Sequence, residues 1–175
     1  MTEKEFLQAV SNGKEDVLQL FLSTVSSIHV DYCVIGGLAV NAYAEPVVSL
    51  DLDVVVATEN IEAVCHALEA RFTIRRFEHS VNLGSELSDL RIQLQTDVRY
   101  QDFISRSNVR TVLGYEMRVA CVEDVLQGKV WAYLDEERRK SKRQKDLADI
   151  MRLVETHPAL ADVLPEKVLK RFEQE

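Results

Sequence analysis

The segment from Tyr32 to Val56, YCVIGGLAVNAYAEPVVSLDLDVVV, constrains the fold more than any other part of the chain. Its first four residues are largely apolar and precede two glycines, which predicts a short buried strand followed by an abrupt change of direction. Residues 38–44 then predict a short helix that Pro46 ends. Residues 50–57 are rich in valine and predict a second strand. We therefore expect a strand, a glycine pair at a helix start and another strand.

The glycine pair, Gly36-Gly37, lies where this short helix would begin. The free N–H groups and the positive dipole end of a helix favour a phosphate group, and residues without a Cβ atom let a ligand approach the backbone closely. Ser49 would lie nearby and offer a further hydroxyl donor. We therefore expect Gly36, Gly37 and Ser49 to contact a nucleotide phosphate.

Two carboxylates follow in the second strand. Asp51 and Asp53 are two residues apart, so their side chains point to the same face of the sheet. Two such carboxylates repel each other unless a cation lies between them, and hard oxygen ligands suit Mg²⁺ or Mn²⁺ carrying nucleotide phosphates. Two alternatives remain open: the acids are solvated at a strand end, or they cap nearby backbone groups.

The segment 138–145, RRKSKRQK, has six basic residues among eight. The net charge of the chain is −8, so the other residues sum to −14. Such segregation of charge suits a polyanion, either a nucleoside triphosphate or an RNA backbone, and makes Arg139 and Lys142 candidate nucleotide-binding residues. The alternative is a solvated helix face, on which Asp135 and Glu136 would form i,i+4 pairs with Arg139 and Lys140.

The composition favours one domain of class α/β (α+β). A chain of 175 residues can bury a core without disulfides, and its cysteines, Cys33, Cys65 and Cys121, lie in apolar surroundings that predict buried thiols. The N-terminal residues lack a signal-peptide pattern and no stretch is apolar enough to span a bilayer, so we expect a cytoplasmic protein. We expect an α/β core at 1–121 and a C-terminal helical module at 122–175 on the same domain.

Periodicity of apolar residues predicts the remaining elements. We expect helices at 16–28 and 60–72, strands at 73–81 and 90–96, a short helix at 100–107, a hairpin at 109–120 that turns at Gly114, and helices after Val122. Lys129 lies on a helical stripe of inward-facing residues. A buried ammonium group needs a partner, which is either an ion pair or a bound anion.

The motifs GGLAV, SLDLD and a C-terminal Lys followed by KDLADI resemble the nucleotidyltransferase superfamily, which has a polymerase-β-like fold. The chain is most similar to AbiEii-type minimal nucleotidyltransferases, which include toxins of toxin–antitoxin systems. The resemblance implies a short mixed sheet flanked by helices. It also implies transfer of NMP from an NTP to a hydroxyl acceptor (RNA, protein or small molecule), with Mg²⁺ or Mn²⁺ at Asp51 and Asp53. It makes Lys129 a residue for the triphosphate and Asp146 a candidate functional acid. The alternative for Asp146, and the role we expect for Asp149, is to neutralise Lys145, Arg143 or Arg152 and so fix the helix.

Members of this superfamily usually add a third acid from a neighbouring strand, and the chain departs from them there. The strand LRIQLQTD places Gln93 where that acid is expected, and a glutamine amide cannot serve as a general base. Asp89 and Asp97 are substitutes only if the strand bulges, because each lies about 13 Å along the strand from Gln93. The alternative function is therefore an inactive nucleotide- or protein-binding module that has lost this acid.

Overall fold

A computed structural model describes residues 1–174 and contains a seven-stranded mixed sheet flanked by helices. The strands are β1 (Tyr32–Ile35), β2 (Asp51–Val56), β3 (Thr73–Arg76), β4 (Ser80–Ser85), β5 (Ser88–Gln95), β6 (Asn108–Val112) and β7 (Tyr115–Val119). The helices are α1 (Glu3–Val10), α2 (Val17–Ser27), α3 (Gly36–Val40), α4 (Ile61–Leu68), α5 (Val122–Leu134), α6 (Lys140–Thr156) and α7 (Glu166–Phe172). Short 3₁₀ turns span Thr58–Asn60, Val98–Phe103 and Pro158–Val163.

The sheet has the strand order β3-β4-β5-β2-β1-β7-β6. The central strands β1 and β2 run antiparallel, whereas β2 and β5 run parallel. Four residues therefore form one row across the sheet, in which Ile35 pairs with Asp53, Asp53 with Gln93, and Gln93 with Asn82. Every residue of β1 is buried, which fixes the middle of the sheet in the core.

The C-terminal helices α5 and α6 lie over the face of the sheet that carries this row. Helix α5 packs on α3, and α6 packs on both. Gly128 of α5 faces the ring of Tyr100, and a Cβ atom there would lie at van der Waals contact, 3.4 Å from Tyr100 Cε1. No helix within residues 1–174 is both long and apolar enough to cross a membrane.

Several predicted elements have different bounds in the structure. The helix expected at 38–44 begins at Gly36 and ends at Val40, and the helix expected at 60–72 ends at Leu68. The single strand expected at 73–81 is wrong, because residues 77–79 turn the chain between β3 and β4. Helix α1 was not predicted; a capping box between Thr2 and Glu5 stabilises its start.

The predicted hairpin at 109–120 is confirmed, and the helical C-terminal region is confirmed with a break at residues 135–139. This break removes the i,i+4 pairs expected between Asp135 and Arg139 and between Glu136 and Lys140, because these residues are not on one continuous helix. Glu136 is instead near Lys167, with 3.8 Å between Glu136 Oε1 and Lys167 Nζ. Cys33 and Cys65 are buried free thiols, as predicted, whereas Cys121 is partly exposed.

Candidate active site

A cleft of about 250 Å³ lies between the sheet and helices α5 and α6. Its floor is formed by β2, β4 and β5, and its wall by the two helices. The titratable groups that line it are Asp51, Asp53, Arg91, Lys129, Arg138, Lys142, Lys145, Asp146 and Asp149. The structure thus brings the acidic strand and part of the basic run to one site.

Asp51 and Asp53 lie on the floor of the cleft, on the same face of β2. Asp51 is paired with Arg91 on the neighbouring strand, with 2.8 Å between Asp51 Oδ1 and Arg91 Nε. Burial raises the pKa of Asp53, and so does the charge of Asp51, while Lys129 and Arg138 oppose the shift. Asp53 is therefore a carboxylate that would gain from a nearby cation.

Gly36 makes room for Asp53. Its φ of +72° is in the left-handed region, and a Cβ atom at this position would lie 2.4 Å from Asp53 Oδ2. Gly37 is less constrained, because a Cβ atom there would lie 3.7 Å from Ser49 Oγ. Ser49 Oγ accepts from the backbone N–H of Asp51 at 3.2 Å. Gly36 lines the cleft, whereas Gly37 and Ser49 are not among its lining residues.

Lys129 connects the two C-terminal helices through a buried ion-pair network. Its Nζ lies 3.0 Å from Asp146 Oδ1 and 2.8 Å from Asp149 Oδ2. Burial alone would lower the pKa of Lys129, but Asp149 and Asp146 outweigh it and raise the pKa, so Lys129 is a cation. Arg138 Nε donates to Asp146 Oδ2 at 2.7 Å, and Arg152 pairs with Asp149 at 2.7 Å. The expectation that Lys129 needs a partner is met by Asp146 and Asp149.

The basic run presents only one of its sides to the cleft. Lys142 and Lys145, three residues apart on α6, line the cleft, and so does Arg138 in the segment before the helix. Arg139 is exposed immediately before α6, and the structure does not bring it to the cleft, contrary to the sequence prediction. Arg143 points to α5, where its Nε donates to the carbonyl oxygen of Tyr133 at 2.7 Å.

The cleft has a net positive charge on an acidic chain. Its five cationic and four acidic side chains give +1, while the whole chain carries −8, so the remaining residues sum to −9. The cations cluster on the helical wall and at Arg91, which is the distribution expected for a site that takes an anion.

Gln93 lies directly beside Asp53 on the floor of the cleft, and Asn82 follows it on β4. Neither acid proposed as a substitute lines the cleft. Asp89 accepts from the side chain of Asn12, and Asp97 caps the turn after β5 by accepting from the backbone N–H of Arg99 at 2.9 Å. Within residues 1–174, no three His, Cys, Asp or Glu side chains lie close enough to hold a metal ion together.

Sequence reasoning missed several residues of the cleft, among them Asn82, Tyr100 and Gly128. Asn82 would have been found if residues 77–79 had been recognised as a turn, because β4 then alternates with Asn82 on the polar side. Tyr100 contacts Trp131 edge-to-face, with 5.2 Å between ring centroids, and no local pattern predicts that contact.

A mixed sheet with a glycine-started helix, a same-face Asp pair and cationic helices over it is the arrangement of the polymerase-β-like nucleotidyltransferase fold. Residues 31–175 match the family described as "Nucleotidyl transferase AbiEii toxin, Type IV TA system". The chain therefore belongs to the AbiEii nucleotidyltransferase family, which confirms the resemblance seen in its motifs.

Solved structures share this fold at low sequence identity. ANT(2″)-Ia in complex with adenylyl-2″-tobramycin has a TM-score of 0.63 and 14% identity, covering 89% of this chain and 97% of that one. The lincosamide antibiotic adenylyltransferase LnuA with lincomycin has a TM-score of 0.56 and 12% identity, covering 81% and 98%. A candidate nucleotidyltransferase from Thermotoga maritima has a TM-score of 0.57 and 15% identity, covering 85% and 96%. No curated protein matches the chain significantly.

We predict that Gly36→Ala destabilises the protein and Gly37→Ala does not. The first change forces a side chain into the left-handed region and against Asp53, which costs about 1–3 kcal/mol or about 2–10 °C in Tm for a chain of this size. The second places a Cβ atom within a helix at ordinary van der Waals distance from Ser49 and leaves Tm equal or slightly higher. Thermal unfolding of both variants tests this; equal losses would contradict the role given to Gly36.

We also predict that Asp53→Asn stabilises the metal-free protein in a pH-dependent way. Because the pKa of Asp53 is raised from its ordinary value of 3.8, ionising Asp53 costs more in the folded chain than in the unfolded one. The variant's advantage should be absent below pH 3.8, grow as the pH rises through the raised pKa, and then stay constant. Urea unfolding in EDTA measures it, with Asp102→Asn, an exposed acid outside the cleft, as control; no gain at pH 7 would contradict the prediction.

Proposed function

We propose that this chain transfers an NMP group from a nucleoside triphosphate to a hydroxyl acceptor, with release of pyrophosphate. The observation that carries the proposal is the pairing of Asp51 and Asp53 with a cationic wall across one cleft. The acids suit a divalent cation, and the wall suits the phosphates that such a cation carries. Membership of the AbiEii family supports the same reaction.

The residues present fit Mg²⁺ or Mn²⁺. Asp51 and Asp53 offer carboxylate oxygens on one face, and burial raises the pKa of Asp53 with a smaller contribution from Asp51, so a bound cation would favour its carboxylate form. Mg²⁺ commonly binds through one or two carboxylates and takes water and substrate phosphates as its other ligands, so two acids suffice. When bound, such an ion stabilises the negative charge that develops on the attacking and leaving oxygens.

Cationic side chains of the helical wall would bind the phosphates of the nucleotide. Lys142 and Lys145, which have no carboxylate partner among the ion pairs of the described residues, are free to bind the outer phosphates. Arg138 and Lys129 contact Asp146 and add positive charge at the inner end of the wall. We propose that residues 1–121 hold Asp51 and Asp53 and that residues 122–175 supply the cations of the helical wall. Gly36 keeps Asp53 in place.

Gln93 supports a second candidate function, an inactive nucleotide- or protein-binding module. Its amide lies beside Asp53, where it can orient a hydroxyl group but cannot take its proton. On this alternative the chain binds an NTP without transferring it. The acceptor in the first function is RNA, a protein or a small molecule, and a toxin role within a toxin–antitoxin pair follows from the family name alone.

We predict that Mg²⁺-dependent NTP binding needs the cleft side of the basic run. Lys142→Gln with Lys145→Gln should weaken binding at least about tenfold and flatten its dependence on salt, since each lost contact to a charged phosphate is worth about 1.5–3 kcal/mol. Asp51→Asn with Asp53→Asn should abolish the Mg²⁺ dependence. Calorimetric titration with the four NTPs measures both effects.

The matched control is Arg139→Gln with Lys140→Gln, which removes the same charge from the same run outside the cleft. This control should bind NTP within about twofold of the wild type, because only diffuse attraction is lost. Equal weakening by both double variants would mean that the run attracts anions only through its overall charge. Unchanged affinity in the Asp51 and Asp53 variant would refute the metal site.

We predict that Gln93→Asp decides between the enzyme and the binding module. A base placed beside Asp53 should raise the rate of NMP transfer by at least about tenfold, because proton removal by a positioned base contributes about 10²- to 10⁴-fold. Labelled NTP incubated with cellular RNA, protein and small-molecule fractions reports transfer. Gln93→Glu is the control for the length of the side chain. If the wild type transfers label as fast as the Gln93→Asp variant, Gln93 does not limit the rate of NMP transfer.

A further inference from the structure

Arg91 contacts one of the two carboxylates that would hold the metal. Arg91 and Asp51 are directly paired on the neighbouring strands β5 and β2, so their side chains share one face of the sheet. Arg91 Nε lies 2.8 Å from Asp51 Oδ1. A divalent cation at Asp51 would lie beside this guanidinium group, and two cations that share one carboxylate repel each other. In this position Arg91 therefore competes with the metal.

The ion pair between Arg91 and Asp51 is open to exchange. The side chain of Arg91 is 69% exposed and that of Asp51 is 34% exposed. Exposed ion pairs contribute little to stability, so Arg91 can leave Asp51 at small cost. Among the described residues, Asp51 is the one ion-pair partner of Arg91. A guanidinium group has five N–H donors, so several of them are available to another acceptor.

A nucleotide brings an acceptor that suits Arg91 better than a shared carboxylate does. A guanidinium group binds a phosphate through two parallel, charge-assisted hydrogen bonds. Arg91 lies on the floor of the cleft, and Lys142 and Lys145 lie on its helical wall. A triphosphate in the cleft would therefore meet cationic side chains on two sides.

We infer that Arg91 exchanges Asp51 for the phosphates of the nucleotide, and that this exchange makes metal binding depend on the nucleotide. The inference rests on the proposed function, in which a divalent cation and a nucleoside triphosphate bind in this cleft. In the nucleotide-free protein, Arg91 opposes a cation at Asp51 and leaves Asp53 as the available carboxylate. In the complex, the guanidinium group binds phosphate and Asp51 is free for the metal. Arg91 thus favours the metal–nucleotide complex over the free metal ion.

The test compares Arg91→Gln with the wild type and measures the binding of two probes. Mn²⁺ alone is titrated into the nucleotide-free protein, and the free Mn²⁺ is followed by electron paramagnetic resonance. Mg²⁺-NTP is titrated by calorimetry with each of the four NTPs. Neither measurement depends on turnover or on the identity of the acceptor.

The matched control is Arg75→Gln, which removes the same charge from the same face of the sheet outside the cleft. Arg75 is exposed on the outer strand β3 and does not line the cleft. It pairs with Asn82, which pairs with Gln93, which pairs with Asp53. Arg75 therefore lies three strand spacings, about 14 Å between Cα atoms, from Asp53. This distance exceeds the screening length of about 8 Å at physiological salt.

The inference requires changes of opposite sign. Arg91→Gln should bind Mn²⁺ alone about two- to fivefold more tightly, because the competing charge is gone and an exposed ion pair is worth at most about fivefold. It should bind Mg²⁺-NTP at least about fivefold more weakly, because the phosphates lose charge-assisted hydrogen bonds. Its Tm should stay within about 4 °C of the wild type, since the ion pair is exposed. Arg75→Gln should keep both affinities within about twofold.

Other results overturn the inference. An affinity of Arg91→Gln for Mn²⁺ that is unchanged or weaker would show that Arg91 does not compete with the cation. An affinity for Mg²⁺-NTP that is unchanged or tighter would show that Arg91 does not bind phosphate. A larger loss of Tm would make Arg91 a structural residue, and equal changes in Arg75→Gln would reduce the effect to diffuse charge. A wild type that binds neither probe refutes the proposed function itself, whereas binding of both probes without any effect of Arg91→Gln refutes only the exchange.

Discussion

The ion pairs of Lys129 with Asp146 and Asp149 hold the two walls of the cleft together. They join α5 to α6 in a buried position, where the side chain of Asp146 is only 2% exposed. Removing one partner of such a network leaves an uncompensated charge and costs about 3–5 kcal/mol. Asp149 also holds Arg152, which donates to Asn41 Oδ1 at 3.0 Å and so connects α6 to the segment before β2. The orientation of α6, and with it the cationic wall, depends on this network.

The four carboxylates of the cleft differ in their ion pairs. Asp146 and Asp149 are neutralised by Lys129, Arg138 and Arg152 at 2.7–3.0 Å. Asp51 is paired with Arg91 at 2.8 Å. Among the described residues, Asp53 has no such contact, and Lys129 and Arg138 act on its pKa only from a distance. Asp53 is therefore the cleft carboxylate that would gain most from an external cation.

Local patterns predicted the parts of the site that one segment supplies. Gly36 begins α3, and Asp51 and Asp53 lie on β2, the next strand in the sequence. Strand alternation predicted that the two acids share one face. The inward position of Lys129 followed from helical spacing in the same way. The break at residues 135–139 and the turn at residues 77–79 were missed, since neither segment contains the glycine or proline that usually marks a turn. Contacts such as Tyr100 with Trp131 join distant segments, and no local pattern encodes them.

In the proposed reaction, Gln93 would affect the binding of the nucleotide as well as the removal of a proton. A third carboxylate beside Asp53 would add negative charge at the point where a triphosphate must enter, and two like charges about 4 Å apart repel by about 4 kcal/mol at an effective dielectric constant of about 20. The neutral amide avoids that repulsion, although it cannot act as a base. On this proposal, an amide in place of the acid favours binding of the anionic substrate over its reaction. Gln93 lies on β5, whereas Asp51 and Asp53 lie on β2 and Lys142 lies on α6, so we expect affinity and rate to change separately.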